Sequence, residues 1–213
     1  MFDFDKLKEE QLKLAKKVVL KDSFDKLELI GGVDAAFTQD DVISAIVVCD
    51  YKTMEVKEKA FSVVKVKVPY LKGYLAYREG PAISEAYLRL ENKPDIMLFD
   101  GNGVLHPRRC GLASHMGILL DQPSIGIAKQ LFIGEVKNNK VYVDNEARAE
   151  VIVSKEHSKP LYISPGHKIS LKTSVEVVKK CFRFPHKLPE PLHLAHRFAD
   201  ETREKIAKGE LKV

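Results

Sequence analysis

Apolar positions recur at helical spacing in residues 5–20, where Leu7, Leu14, Ala15 and Val18 sit among Lys and Glu. An amphipathic helix with a solvated charged face is predicted there. The period then falls to two. LELIGGVDAAF (27–37) and DVISAIVVCDY (41–51) are β-branched and apolar, and the polar Thr38-Gln39-Asp40 between them marks a hairpin. From Val56 to Val68 the chain alternates, ending in VKVKV, which adds a third antiparallel strand with one wet face.

A loop with Pro69, Gly73 and Gly80 returns the pattern to helical. Pro81 suits a first helical turn, and the apolar stripe continues through Ile83, Ala86 and Leu90. PDIMLFDG (94–101) is a short, almost unbroken apolar run, as expected of a central strand covered on both faces, and SIGIA (124–128) is another. Residues 110–120 between them read as a helix, so strand, helix and strand form a right-handed parallel crossover. Further on, KNNK (137–140) predicts a small hairpin, LYIS (161–164) a strand, 170–181 a helix, and Pro191 to about Lys208 the last helix. Three antiparallel strands plus parallel strands, flanked by helices, describe an α/β mixed sheet for which the ribonuclease H-like fold is the natural candidate.

Composition narrows the class only modestly. At 213 residues the chain suits one domain, 1–213, with one substantial core. Against 30 Asp+Glu stand 35 Lys+Arg, a net charge of +5 that suits a polyanionic partner without requiring one. Cys49, Cys110 and Cys181 are odd in number and in no ligand spacing, and so read as reduced thiols filling core positions. With an N-terminus charged from Asp3 and no apolar run near the ~20 residues of a membrane span, a cytoplasmic protein without a membrane anchor is expected.

Three acids interrupt apolar patterns. Asp34 follows Gly31-Gly32 at the far end of a strand, and Asp100 ends the most hydrophobic strand, where ligands gather in open α/β sheets. Read alone, each is equally well a turn former or a helix cap. Counting i, i+4, i+7 and i+11 gives Glu79, Ile83, Ala86 and Leu90, so an acid heads a buried stripe. An anion near a helix N-terminus explains its position along the helix but not its inward face. Carboxylates drawn together without cations raise one another's pKa and cost stability. A divalent ion removes that conflict, and Mg²⁺, content with one or two carboxylates plus water and phosphate oxygens, fits a phosphodiesterase.

DGNGVLHPRRCGLASHMG (100–117) followed by IGIAKQLFIG resembles the signature of the endonuclease V family. So do GGVDAAF, the Pro69-Tyr70 element with REGP (78–81), SPGHKISL (164–171) and LPEPLHLAHR (188–197), in the family's order from about residue 27 to 200. The resemblance implies a ribonuclease H-like, metal-dependent endonuclease, using Mg²⁺ or Mn²⁺ in its place. It would recognise hypoxanthine (deoxyinosine or inosine) in DNA, or in RNA, and nick the second phosphodiester bond 3′ to it in repair of deaminated bases.

Carried over by position, Asp34, Glu79 and Asp100 match the acidic metal site, and Lys129 the lysine at the scissile phosphate. Tyr70 matches the aromatic wedge that fills the gap left by the displaced base. Gly101 and Gly103 would offer backbone groups to the base, and His106, Arg108 and Arg109 would meet phosphate. Solvated or internally paired positions account for those last three equally well. His196 falls where the family places a metal-side residue and is expected to orient water or to bind Mn²⁺, with Asp200 one turn on. The wedge motif departs from the common Pro-Tyr-Ile-Pro by reading Pro-Tyr-Leu-Lys, so Lys72 brings a less rigid loop and an extra cation. A monomer is expected. The acids alone leave room for another ribonuclease H-like nuclease, a resolvase or RNA-processing enzyme, and the motifs for a non-catalytic inosine-binding protein.

Overall fold

The computed structural model describes residues 3–211. Helix α1 (Phe4–Ala15) begins where the Asp3 side chain accepts a hydrogen bond from the Lys6 N–H at 3.0 Å, satisfying one of the free amides of the first turn. It stops at Ala15 and not at residue 20, because the Val19 N–H is drawn off to His167 Nδ1 at 3.2 Å. The predicted hairpin and third strand are present as β1 (Leu29–Phe37), β2 (Asp41–Asp50) and β3 (Val56–Lys65), antiparallel in sequence order, with β3 ending before the VKV tail.

Helix α2 (Leu75–Leu88) starts earlier than predicted, so Pro81 lies inside it and Glu79 in its second turn. Strand β4 (Ile96–Asp100) runs parallel to β1, with Val33 opposite Phe99, and α3 (Leu112–Leu119) returns the chain to β5 (Ser124–Ala128), parallel to β4 with Asp100 opposite Ile127. Ile96, Met97, Leu98 and Phe99 of β4 are each fully buried, worth roughly 1.5–3 kcal/mol apiece. That burial fixes the height at which the chain can next present a charge.

Beyond β5 the predicted hairpin at 137–140 and strand at 161–164 are present, and a further strand joins them. β6 (Glu135–Lys137), β7 (Lys140–Val143), β8 (Glu146–Ile152) and β9 (Leu161–His167) form an antiparallel wing joined to β5 through β9. The order is β3-β2-β1-β4-β5-β9-β8-β7-β6, so a short parallel centre lies between two antiparallel wings and β3 and β6 are the edges. This is the ribonuclease H-like mixed sheet. Helices α4 (Leu171–Lys180) and α5 (Glu190–Ala207) complete it. Cys49, Cys110 and Cys181 are buried with free thiols. Among the described residues no helix is long and apolar enough to cross a membrane.

Each face of the sheet has its own core. Ile30, Ile96, Leu98, Ile125 and Ile127 pack with Val178 of α4 and Leu192 and Ala195 of α5. Val33, Met97 and Phe99 pack on the other side with Ala76 and Ile83 of α2 and Met116 of α3. Strand residues alternate faces, so Asp34, Asp100 and Lys129 continue the rows of Ile30, Leu98 and Ile127 on the α5 side.

Helix α5 reaches that face because position 32 is glycine. A Cβ there would collide with the Pro191 carbonyl and come within 2.6 Å of the Leu192 nitrogen. Two strand residues advance about 6.6 Å and four helical residues about 6 Å. Moving from Gly32 to Asp34 and from Leu192 to His196 therefore covers the same distance, and the two side chains meet. Gly32→Ala should lift the start of α5 from the sheet, costing about 2 kcal/mol or more in urea unfolding. An unaltered midpoint would mean that the close approach is not required.

Candidate active site

Asp34, on β1, and Asp100, on β4, occupy adjacent parallel strands at one level, and Lys129 lies just past the end of β5, two residues beyond Ile127, the register partner of Asp100. The Asp34 side chain is only 11% exposed. Its Oδ1 accepts the Ala35 N–H at 2.9 Å, and its Oδ2 accepts from His196 Nδ1 at 2.6 Å. On its other side His196 Nε2 lies 3.6 Å from Asp200 Oδ2, and Arg203 holds Asp200 at 3.0 Å. His196 thus touches Asp34 directly, with Asp200 and Arg203 behind it.

Lys129 Nζ forms an ion pair and hydrogen bond with Asp100 Oδ2. Burial would lower the Lys129 pKa, but Asp100 and then Asp34 outweigh it, so the ammonium is held above its ordinary range. Burial raises the carboxyl of Asp34, and the charge of Asp100 raises it further. The Ala35 amide, Lys129 and His196 offset part of this.

Glu79 comes from α2 on the opposite face of the sheet and is 8% exposed. Burial drives its carboxyl well above the usual carboxylate range, and the charges of Asp34 and Asp100 add to it, with only Arg78 opposing. The two aspartates and the glutamate therefore share one electrostatic field although they come from different layers. Because α2 starts at Leu75, Glu79 lies beyond the first turn, where the helix dipole acts most strongly. Its inward position leaves no compensation from that source.

Among the described residues, no three His, Cys, Asp or Glu side chains are close enough to form a closed metal cage. The donor set nevertheless suits a hard divalent ion, which takes carboxylate oxygens and leaves the remaining positions to water and phosphate. Carboxyls raised by one another's charge are what a cation would relieve.

Beside the acids lies a cavity of about 250 Å³ whose lining includes Asp100, Gly101, Lys129, Tyr70, Leu71 and Phe132. Drug-sized ligands occupy pockets of roughly 300–1,000 Å³, so this one suits a single flat ring system. Tyr70 is 70% exposed, and Lys72 folds back so that its Nζ lies 4.4 Å above the Phe132 ring. The extra cation of the wedge motif is therefore part of the cavity wall.

Several expected contacts are already used within the fold. The Gly101 N–H donates to the Ile127 carbonyl at 3.1 Å, and the Gly103 N–H to Ser164 Oγ at 2.8 Å. The Gly103 carbonyl accepts from Gly111 at 3.0 Å. Gly101 keeps a place in the cavity lining, while Gly103 serves the packing of its loop. His106 is buried, donates from Nε2 to the Gly73 carbonyl at 3.1 Å and accepts the Arg108 N–H on Nδ1 at 3.2 Å. Burial, then Arg108, pushes its pKa down to about 4, so it braces this loop as a neutral imidazole. Arg108 is bound to Gln11 Oε1 and the Gly73 carbonyl, and Arg109 to Glu146. These arginines satisfy internal partners.

Sequence reasoning missed Gln11 and Phe132. Gln11 had a signal, since Leu7, Gln11 and Leu14 form one i, i+4, i+7 stripe and a polar residue in a buried stripe needs partners.

The chain matches the Endonuclease V family model over residues 12–197. It is 41% identical to Endonuclease V of Dictyoglomus thermophilum across 94% of this chain and 91% of that protein. Among solved structures, Endonuclease V of Bacillus subtilis superposes with a TM-score of 0.89 at 31% identity, covering 98% of this chain and 95% of that one. Endonuclease V of Ciona intestinalis, in complex with a 24mer DNA containing an inosine followed by a ribo-adenosine, gives 0.86 at 29%, covering 95% and 98%.

The raised Glu79 carboxyl has a sign that can be checked. Between its unfolded pKa and its higher folded pKa, the folded chain binds more protons, so stability falls as pH rises through that window. Without divalent metal, Glu79→Gln should raise the melting temperature at pH 7 to 8 and flatten its decline above pH 5. A lower melting temperature at neutral pH would contradict the assigned strain.

Proposed function

The chain belongs to the endonuclease V family of nucleases, and from that premise we propose that it is a divalent-metal-dependent endonuclease recognising hypoxanthine in nucleic acid. It nicks the second phosphodiester bond 3′ to that base and acts in repair of deaminated bases. The observation that carries this reading is Asp34 beside Asp100 on adjoining strands, with Lys129 just past β5 paired to Asp100, Glu79 in their field and a ring-sized cavity alongside.

Asp34, Asp100 and Glu79 would hold Mg²⁺, or Mn²⁺ in its place. The bound ion supplies charge neutralisation at the phosphate and acidifies water for in-line attack. His196, hydrogen-bonded to Asp34, fixes the orientation of that carboxylate. Glu79, brought in from the opposite layer by α2, would hold the ion directly or through a water. Lys129 donates from Nζ to a nonbridging phosphate oxygen.

Bases that pair poorly are cheapest to unstack, which favours extrusion of hypoxanthine. The exposed Tyr70 ring stacks into the gap, and the cavity lined by Gly101, Leu71 and Phe132 takes the base. The enzyme works as a monomer in the cytoplasm.

Asp34→Ala and Asp100→Asn should each lower nicking of an inosine-containing oligonucleotide with Mg²⁺ by roughly 10²–10³-fold or more while binding persists. Cleavage at the parent rate would remove that acid from the mechanism. The same assay, with inosine in matched DNA and RNA strands and in DNA with one ribonucleotide after the inosine, ranks the substrates. Equal cutting of strands lacking inosine would favour a general ribonuclease H-like nuclease.

A further inference from the structure

Gln11 is 1% exposed on a helix whose neighbours are mostly charged and solvated, and every polar atom of its side chain is used. Its Nε2 donates to the Gly73 carbonyl at 3.0 Å and to the Cys110 carbonyl at 3.2 Å, and its Oε1 accepts from Arg108 Nε at 2.6 Å. The Gly73 carbonyl also accepts from His106 Nε2 at 3.1 Å and Arg108 NH2 at 2.8 Å. Three donors, one from α1 and two from the loop of His106 and Arg108, converge on one oxygen.

Gly73 has φ +87°, a conformation that L side chains rarely adopt, and a Cβ there would meet Arg108 NH2 at 3.1 Å and His106 Nε2 at 3.3 Å. The next residue, Tyr74, stacks under the Arg108 guanidinium at 4.4 Å and packs edge-on against Phe4 of α1 at 5.7 Å. The segment leading to α2 is therefore anchored at its last loop residues, while Tyr70 and Leu71, three and two residues earlier, stand exposed. Gln11, Gly73 and His106 share the cavity wall with Asp100, but among the described residues no hydrogen bond of this network reaches an acid of the site. A loop held at one end by five hydrogen bonds around a buried node, with its tip in solvent, is arranged to aim that tip.

We propose that Gln11 of α1 is a positioning residue for the wedge: through the Gly73 carbonyl and Arg108 it sets where Tyr70 stands, and so governs how well the protein opens duplex substrates. This rests on the reading of Tyr70 as the wedge. A wedge matters where two strands must be parted and matters little on a single strand. The quantity that isolates it is therefore the ratio of kcat/KM on duplex to kcat/KM on single-stranded inosine DNA.

Gln11→Met keeps the volume and removes all of the side chain's hydrogen bonds. Losing partners to a buried carbonyl and a guanidinium should lower the duplex to single-strand ratio about tenfold. Tyr70→Ala should lower it similarly, and the double variant should fall no further than Tyr70→Ala alone, since both act through one element. The single-strand kcat/KM and the melting temperature of each variant report folding separately, so a loss confined to the duplex cannot come from a Met variant that fails to fold. Equal losses on both substrates, or multiplied losses in the double variant, would overturn the inference. A Tyr70→Ala ratio equal to that of the parent would instead sink the wedge reading on which it rests.

Discussion

Asp34, Glu79 and Asp100 repel one another, and burial makes that repulsion costlier, so the fold must hold them together with binding energy gained elsewhere. The apolar residues of β4, buried on both faces, supply part of it and set the height of Asp100. The second part is the seating of α5 on Gly32, which delivers His196 to Asp34. The third is the α2 core of Ala76, Ile83 and Ala86, which carries Glu79 inward from the opposite layer. Lys129 is the cation paired with Asp100, and it partly offsets the charge without removing it. A site of this kind is less stable than its surroundings and is tolerated for its chemistry.

Much of this arrangement could be read from residue order. Alternation placed Asp34, Asp100 and Lys129 on strand ends, and once β1, β4 and β5 are parallel neighbours their common face follows from period two. Glu79 was legible as an inward acid through its stripe with Ile83 and Ala86. What failed was its position along the helix, because Gly80-Pro81 looks like an entry and α2 in fact carries proline in its interior. The antiparallel wing was only partly visible. β8 is rich in charge, and its Arg148 is buried by pairing with Glu146 and Asp144, contacts that no periodicity announces. β9 was expected as a strand, but its direction depends on a partner chosen by tertiary packing.

Side-chain purpose was harder still. His106, Arg108 and Arg109 look like phosphate contacts when seen as a basic stretch after a glycine loop. In the fold their donors go to Gly73, Gln11 and Glu146, which for the two arginines is the internal pairing also considered from sequence. A cation's partner is a three-dimensional fact. The glycines of the same loop show the converse, since Gly103 is required for close packing on Pro165 and Ser164 and its N–H is spent there.

A sheet that ends in strands at both sides leaves unpaired amides and carbonyls exposed to other copies of the chain. Edge β6 is three residues long, exposed throughout, and carries Glu135 and Lys137. Edge β3 is ten residues long and could template further pairing, yet Lys57, Glu58, Lys59 and Lys65 punctuate it. Another strand docking there would have to strip water from those charges, which disfavours sheet-to-sheet aggregation. Some of the lysines that make this chain look like a binder of polyanions therefore sit on a border, keeping the sheet from growing.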